Sequence, residues 1–204
     1  RNLVRWTRAH LDEWGFPDVR IDWHGHNDRG LALTNALAAA SAGAQRIHGT
    51  AMGIGERVGN VPIDQLVVNQ NLLGWRNQDL SALNDYCRIS SQALGFPTPI
   101  NYPIVGRDAF RTTTGVHAAA IIKAKEKGDT FLADRIYSGV PAEEVGRKQL
   151  IELGPMSGKS NAIFWLKSQN LDPSDALIKA LLNAAKESDR TLTEQECWKA
   201  IEAC

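Results

Sequence analysis

Val19-Arg20-Ile21-Asp22-Trp23-His24-Gly25-His26-Asn27-Asp28-Arg29-Gly30 is the stretch that decides the fold of this 204-residue chain. It runs from an apolar segment directly into polar residues, as a buried strand does where it meets a loop. His24 and His26 are two residues apart, and side chains with that spacing project from one face of an extended strand. Both imidazoles can therefore reach one point, which predicts a shared divalent metal ion. The alternative is a pair of strand-end histidines that bind only the backbone.

The same pattern recurs further along the chain. A second apolar run at residues 46–52 ends in Gly53-Ile54-Gly55-Glu56-Arg57-Val58-Gly59-Asn60. Alternating strands and helices favour parallel strands with crossover helices, in a barrel or an open sheet, and both place the site in the loops after the strands. Apolar spacing and end signals predict strands over 19–24 and 46–52 and helices over 1–14, 30–42, 62–74 (opened by Pro62), 79–94 (ended by Gly95) and 116–127.

The pattern changes after residue 75, which predicts three regions. They are the C-terminal end of an α/β domain at 1–75, a helical linker at 76–100 and a mainly helical second subdomain at 101–204. In the last region, Asp172 is the expected N-cap of a helix with Pro173 at its first position, and Thr193-Glu194-Gln195-Glu196 is a capping box. Because Arg1 opens directly into a predicted helix, we expect the C-terminal part of a longer protein.

Composition argues against several classes of partner. Basic and acidic residues number 23 each, so the overall field does not favour nucleic acid. No stretch approaches the roughly 20 apolar residues of a membrane-spanning helix. We therefore expect neither nucleic acid nor a membrane as a partner. Cys87, Cys197 and Cys204 are far apart or terminal and cannot form an even disulfide framework, which favours a reduced, cytoplasmic setting.

Oxygen donors and charges surround the two histidines in the sequence. Asn27, Asp28 and Asn60 would add oxygen ligands suited to a hard or borderline cation. A carboxylate from elsewhere is still expected to complete the shell. Glu56 and Arg57 either brace the glycine-rich turn or contact the ligand directly, and the sequence leaves both interpretations open.

Other conspicuous residues carry no function by spacing alone. Val58 stands where a Gly-x-Gly-x-x-Gly turn needs its third glycine, and Leu153 stands where a P-loop ending in Lys159-Ser160 needs its first. Neither segment is expected to bind a nucleotide. His117 opens an alanine-rich helix, where a single histidine is more often structural, and Tyr137 is typical of ordinary packing.

Taken together, His24-Gly-His26-Asn27-Asp28-Arg29-Gly30 and Gly55-Glu56-Arg57-x-Gly59-Asn60 resemble the metal-binding end of the α-isopropylmalate synthase and homocitrate synthase family. The resemblance implies the C-terminal part of a (β/α)8 TIM barrel, with its seventh and eighth strands here and strands one to six absent. It also implies that both histidines and Asn60 bind a divalent metal ion, namely Zn²⁺, Mg²⁺ or Mn²⁺.

The resemblance extends to about residue 165. Thr114-Gly115-Val116-His117 is similar to the family's Ser-Gly-x-His stretch, and Tyr137 stands eight residues before Val145-Gly146-Arg147, as in the isopropylmalate synthases. This implies catalytic roles for His117 and Tyr137, in a subdomain that lies over the neighbouring subunit's barrel in a homodimer. The resemblance implies that the family's metal-binding aspartate, catalytic arginine and a glutamate would precede Arg1, and we expect the leucine-sensing regulatory domain to be absent.

The activity implied by this resemblance is condensation of acetyl-CoA with a 2-oxo acid, followed by thioester hydrolysis. The first choice of oxo acid is 2-oxoisovalerate, which gives 2-isopropylmalate for leucine biosynthesis. Homocitrate, citramalate and Re-type citrate synthases are the alternatives within the class. An incomplete, non-catalytic piece is another alternative, because two strands cannot close a barrel. A metal hydrolase also uses a His-x-His strand end, but the glycine-rich turn gives it no support.

Overall fold

The computed structural model describes residues 1–203, and the chain divides into two units, Arg1–Pro99 and Ile100–Cys204. Cys204, which entered the cysteine argument, lies outside the described residues. The first unit contains, in chain order, α1 (Asn2–Glu13), β1 (Asp22–Trp23), α2 (Ala32–Ser41), β2 (Arg46–Ile47), a 3₁₀ turn (Ala51–Gly53), α3 (Ile63–Leu72) and α4 (Leu83–Leu94). The second contains β3 (Arg111–Thr112), α5 (Gly115–Glu126), α6 (Thr130–Arg135), a 3₁₀ turn (Glu143–Val145), β4 (Leu150–Ile151), α7 (Lys159–Ser168), α8 (Asp175–Glu187) and α9 (Glu194–Glu202).

The two strands of the first unit pair in parallel, with Asp22 opposite Arg46 and Trp23 opposite Ile47. Side chains alternate between the faces of a strand, so Trp23 and Ile47 share one face and Asp22 and Arg46 the other. On the apolar face, the two strands pack with α2, α3 and the segment between them through a cluster that includes Ala32, Ala36, Val61 and Leu66. The opposite face carries the polar residues that form the site described below.

Both strands of this unit are shorter than the sequence predicted. The predicted extents, 19–24 and 46–52, are wrong, because a strand exists only where a neighbour pairs with it. Among the described residues, each of these two strands has a single strand partner. Beyond β2, Thr50 pairs with Pro62 across the glycine-rich turn, and Met52 has a φ of 53°, which ends the extended chain.

The predicted helices over 1–14, 30–42, 79–94 and 116–127 are confirmed to within a few residues by α1, α2, α4 and α5. Gly95 ends α4 in the left-handed region, with a φ of 60°, as its lack of a Cβ allows. The capping box is also confirmed. The backbone N–H of Thr193 donates to Glu196 Oε2 over 2.8 Å, and Thr193 Oγ1 accepts from the Glu196 N–H.

Two predicted helix starts are wrong in position. The N-cap of α8 is Ser174 rather than Asp172, because the Ser174 hydroxyl accepts a hydrogen bond from the backbone N–H of Leu177. Pro62 precedes α3 as its N-cap, with an extended ψ of 108°, instead of occupying the first turn.

In the second unit, β3 and β4 pair in parallel, and α5 packs on β4 through Ala118, Ile121 and Ile151. A second cluster joins α7, α8 and α9. Asn161, 1% exposed in the first turn of α7, ties these parts together. Its Nδ2 donates to the carbonyls of Thr113 and Glu152, which directly follow β3 and β4, and its Oδ1 accepts from the N–H of Gly158.

The structure also bears on the composition arguments. Cys87 and Cys197 are free and buried, and burial raises the pKa of their thiols to about 12 and about 11. Within residues 1–203, none of the helices combines the length and the apolar character needed to cross a bilayer.

Replacement of Asn161 should destabilise the protein. Each of its three hydrogen bonds contributes about 1 kcal/mol net, so Asn161→Ala should lower the free energy of unfolding by about 2–4 kcal/mol. Asn161→Asp should cost at least as much, because a carboxylate would face two carbonyl oxygens. Urea denaturation measures both. Lys159→Ala, an exposed change in the same helical turn, is the control and should stay within about 0.5 kcal/mol of wild type. Equal stability of Asn161→Ala and the control would contradict this role.

Candidate metal centre and catalytic residues

The end of β1 brings the two predicted ligands together. His24 Nε2 and His26 Nε2 lie 3.3 Å apart, with the ring planes at 86°. At this separation, two nitrogens must share either a proton or a cation, because two lone pairs repel each other. Two imidazole nitrogens bound tetrahedrally to one Zn²⁺, at about 2.0–2.1 Å each, stand about 3.3 Å apart. The observed separation therefore fits a divalent ion held by this pair.

Backbone pairing across the glycine-rich turn positions His26. His26 and Asn60 form an isolated antiparallel bridge, and the Asn27 N–H donates to Gly59 O over 3.0 Å. The Asn60 amide nitrogen lies 3.4 Å from His26 Nδ1 and 3.4 Å from Gly25 O. Asn60 thus contacts the ring nitrogen that faces away from His24. This contact orients the His26 ring. Its role as a direct ligand stays a prediction.

Close packing explains the glycines of this turn. A Cβ on Gly55 would collide with the side-chain oxygen of Asn60. Gly59 has a φ of 86°, and a Cβ there would collide with the carbonyl oxygen of Gly53. Close contacts within the turn therefore account for the glycines at 55 and 59 without a bound phosphate.

The expected oxygen donors Asn27 and Asp28 are engaged away from the histidine pair. Asn27 Oδ1 accepts from the backbone N–H of Ala32, where α2 begins. Asp28 forms a two-pronged ion pair with Arg57, at 3.0 and 3.1 Å, and this hydrogen bonding lowers the pKa of the carboxyl. These oxygens are thus already bonded within the protein, and a metal-ligand role for Asn27 and Asp28 stays a prediction. Arg57 braces the loops after the two strands against each other.

Glu56 behaves differently from its neighbour Arg57. Its side chain is 77% exposed, and its Oε1 lies 3.7 Å from His26 Nε2, on the side of the ring that faces His24. Across residues 1–203, no group of three or more His, Cys, Asp or Glu side chains is arranged to hold a metal ion. Among the described residues, the site therefore consists of the imidazoles of His24 and His26, with the exposed carboxylate of Glu56 beside them.

The second unit brings His117 and Tyr137 together. Their rings stack with centroids 3.8 Å apart and planes at 23°. His117 lies in the first turn of α5, and its buried Nδ1 has no hydrogen-bond partner among the described residues. Tyr137 is 51% exposed. Stacking alone would fit a packing role. A buried ring nitrogen without a partner beside an accessible phenol is also suited to proton transfer.

Position 115, two residues before His117, requires a glycine for a steric reason. A Cβ on Gly115 would lie 2.8 Å from the backbone nitrogen of Gly158, so the starts of α5 and α7 approach each other closely there. This contact sets the position of the first turn of α5, and with it the position of the His117 ring.

Sequence reasoning missed a group of residues next to His24. Asp22 Oδ2 lies 3.1 Å from Arg46 Nη1 and 3.2 Å from His48 Nε2. The His48 ring centroid is 5.7 Å from that of His24. The signal was present in the sequence, because Arg46 and His48 have the same two-residue spacing as Asp22 and His24.

Comparisons with known proteins show which family the chain is similar to. A family model described as HMGL-like matches residues 1–91. The chain is 33% identical over 181 residues to a protein named (R)-citramalate synthase from Aquifex aeolicus (strain VF5), covering 86% of this chain and 33% of that protein.

Two further relatives show the spread of names. A "Probable 2-isopropylmalate synthase" of Methanopyrus kandleri is 32% identical over 172 residues, or 83% of this chain and 33% of that protein. A "Homocitrate synthase" of Pyrococcus horikoshii is 32% identical over 176 residues, or 86% of this chain and 46% of that protein. The chain thus spans between about a third and about a half of the length of these curated relatives.

The family match indicates an α/β fold of the TIM-barrel type, of which the described residues show a mostly helical portion with few strands. The relatives' names and the two matching motifs lead to one conclusion. This chain belongs to the α-isopropylmalate synthase and homocitrate synthase family.

Proposed function

We propose that this chain is part of an acyltransferase that condenses acetyl-CoA with a 2-oxo acid and then hydrolyses the thioester. The observation that carries the proposal is the convergence of His24 Nε2 and His26 Nε2 to 3.3 Å. The names of the relatives support it, because citramalate, 2-isopropylmalate and homocitrate are each made by adding an acetyl carbon to the ketone of a 2-oxo acid. We assign β1 and β2 as the seventh and eighth strands of the barrel. The division into regions 1–75, 76–100 and 101–204 stays a prediction.

In this proposal, the first unit binds and orients the oxo acid. A divalent ion (Zn²⁺, Mg²⁺ or Mn²⁺) held by His24 and His26 would supply Lewis-acid polarisation of the ketone. Asn60 keeps the His26 ring in place and is proposed as a further ligand. The Arg57–Asp28 ion pair holds the two loops in register. The remaining carboxylate ligand is expected from another part of the complete enzyme.

The second unit is proposed to move protons at the acetyl end. His117 is proposed to accept a proton from the acetyl methyl group, and Tyr137 stacks its phenol ring on that imidazole. Stacking on Tyr137 limits rotation of the His117 ring, which would keep its nitrogen aimed at one position. We propose that these two residues act over the barrel of a neighbouring subunit. Homodimeric assembly and cytoplasmic location stay predictions.

The proposed oxo acid is 2-oxoisovalerate, giving 2-isopropylmalate in leucine biosynthesis. Its support is the spacing of Tyr137 from Val145-Gly146-Arg147, which resembles that of isopropylmalate synthases. Pyruvate, 2-oxoglutarate and oxaloacetate, the oxo acids of citramalate, homocitrate and Re-type citrate synthases, are the competing choices. A non-catalytic role for this portion is the remaining alternative.

A substrate panel tests the activity. The full-length enzyme should release free CoA thiol from acetyl-CoA only when a 2-oxo acid is present, and fastest with 2-oxoisovalerate. A thiol-reactive dye follows the release for all four oxo acids. Faster release with another oxo acid would reassign the substrate within the class. No release with any of the four would contradict the proposed activity.

Removal of a ligand tests the metal site. His26→Ala should weaken metal binding by about 100-fold or more, because loss of a ligand exceeds the 10- to 100-fold effects of groups that only support ligands. Metal content after dialysis, measured by plasma mass spectrometry, reports this. His10→Ala is the matched control, since His10 lies on α1 between Trp6 and Trp14. Full activity of the enzyme after exhaustive chelation would contradict the metal assignment.

Replacement of His117 tests the proton-transfer step. His117→Ala should lower turnover by a factor on the order of 10²–10⁴, the usual contribution of a general acid or base. Metal content should not change, because His117 lies in the other unit. Steady-state kinetics with saturating acetyl-CoA and oxo acid measures the loss. An unchanged turnover number would remove His117 from the mechanism.

A further inference from the structure

A third imidazole lies on the polar face of the strand pair, beside the proposed metal ligands. The parallel register places Asp22 opposite Arg46. Continued by two residues, the same register places His24 opposite His48, with both side chains on the face away from the apolar cluster. The backbone supports this continuation, because the His48 N–H donates to Trp23 O over 2.9 Å.

The His48 ring is held by a carboxylate. Its Nε2 lies 3.2 Å from Asp22 Oδ2, and the same oxygen lies 3.1 Å from Arg46 Nη1. The His48 side chain is 48% exposed and that of Arg46 is 62% exposed. Exposed ion pairs contribute little to folding stability. The arrangement is therefore better explained by what it does to the neighbouring ring than by stabilisation of the fold.

That neighbouring ring is His24. The His48 and His24 rings meet edge to face, with centroids 5.7 Å apart and planes at 62°. His24 also meets the His26 ring, with centroids 5.0 Å apart. His24 thus contacts two imidazoles, one of which is itself held through Asp22. A ligand whose rotamer is already fixed loses less conformational entropy when it binds an ion.

We propose that His48, tethered by Asp22, is a positioning residue that holds the His24 imidazole in its metal-binding orientation. This inference rests on the proposed function, since it assumes an ion at the His24–His26 pair. His48 is not assigned as a ligand, because its Nε2 is engaged by Asp22 and no three-residue cluster suited to a metal exists within residues 1–203. Arg46 balances the charge of Asp22, so the carboxylate acts on His48 mainly by hydrogen bonding.

Metal affinity of the full-length enzyme tests the inference without an activity assay. Zn²⁺ binding is measured by competition with a chromophoric chelator, and the visible spectrum of bound Co²⁺ reports the ligand geometry. His48→Ala should weaken Zn²⁺ binding by about 10-fold, within the range for groups that orient metal-binding histidines. The Co²⁺ bands should also shift. Thermal unfolding of the metal-free chain should stay close to wild type.

Conservative variants separate positioning from ligation. His48→Phe keeps a ring edge against His24 but cannot bond to Asp22, so it should recover only part of the lost affinity. Asp22→Ala should weaken binding as His48→Ala does, while Asp22→Asn, which still offers His48 an acceptor oxygen, should bind nearly as wild type. His10→Ala controls for the loss of one imidazole and should not change the affinity.

Each contrary result has a distinct meaning. Wild-type affinity in His48→Ala would overturn the positioning role and leave the proposed function intact. Wild-type affinity in Asp22→Ala would also overturn it, because the tether of His48 would then have no effect on the metal site. No Zn²⁺ binding by the wild-type full-length enzyme would overturn both this inference and the metal site of the proposed function.

Discussion

The parallel register of β1 against β2 is the constraint on which the site in the first unit depends. Pairing Trp23 with Ile47 directs both side chains into the apolar cluster with α2 and α3. Because side chains alternate along a strand, the same pairing directs the neighbouring residues, which include His24 and His48, to the other face. If one strand shifted by one residue against the other, its polar side chains would be buried and its apolar side chains exposed. Burial of the apolar face therefore also determines which side chains lie on the polar face.

The glycine-rich turn, residues 53–60, completes the site because it folds back onto the loop that carries His26. Gly55 and Gly59 leave room for Asn60 to reach the backbone beside His26, and Arg57 ties the turn to Asp28 after the other strand. None of these contacts is strong by itself, since the Arg57–Asp28 pair is exposed. Their joint effect is geometric, because two loops that belong to different strands are kept at a fixed separation.

In the second unit, the buried side-chain amide of Asn161 positions the loops, whereas strand register does so in the first unit. Asn161 satisfies the carbonyls at the ends of β3 and β4 and the start of α7, so the loops there have a defined position. The close approach of Gly115 to Gly158 then places the first turn of α5, and His117 stacks on Tyr137. In the first unit, His24 and His26 lie directly after a short strand, and in the second unit His117 lies in the first turn of the helix that follows one.

The sequence by itself determined the helices with clear end signals, such as the one that ends at Gly95 and the one that begins at Thr193, because these signals act within a few residues. It also determined the pairing of His24 with His26, since alternation along a strand is local. Tertiary structure alone decided the strand lengths, which depend on partners distant in sequence. It also decided that Asp28 pairs with Arg57 rather than facing the histidines, and that His48 lies against His24. Such contacts join residues about 20–30 positions apart, and no local pattern specifies which of several equally spaced polar side chains will meet once the chain has folded.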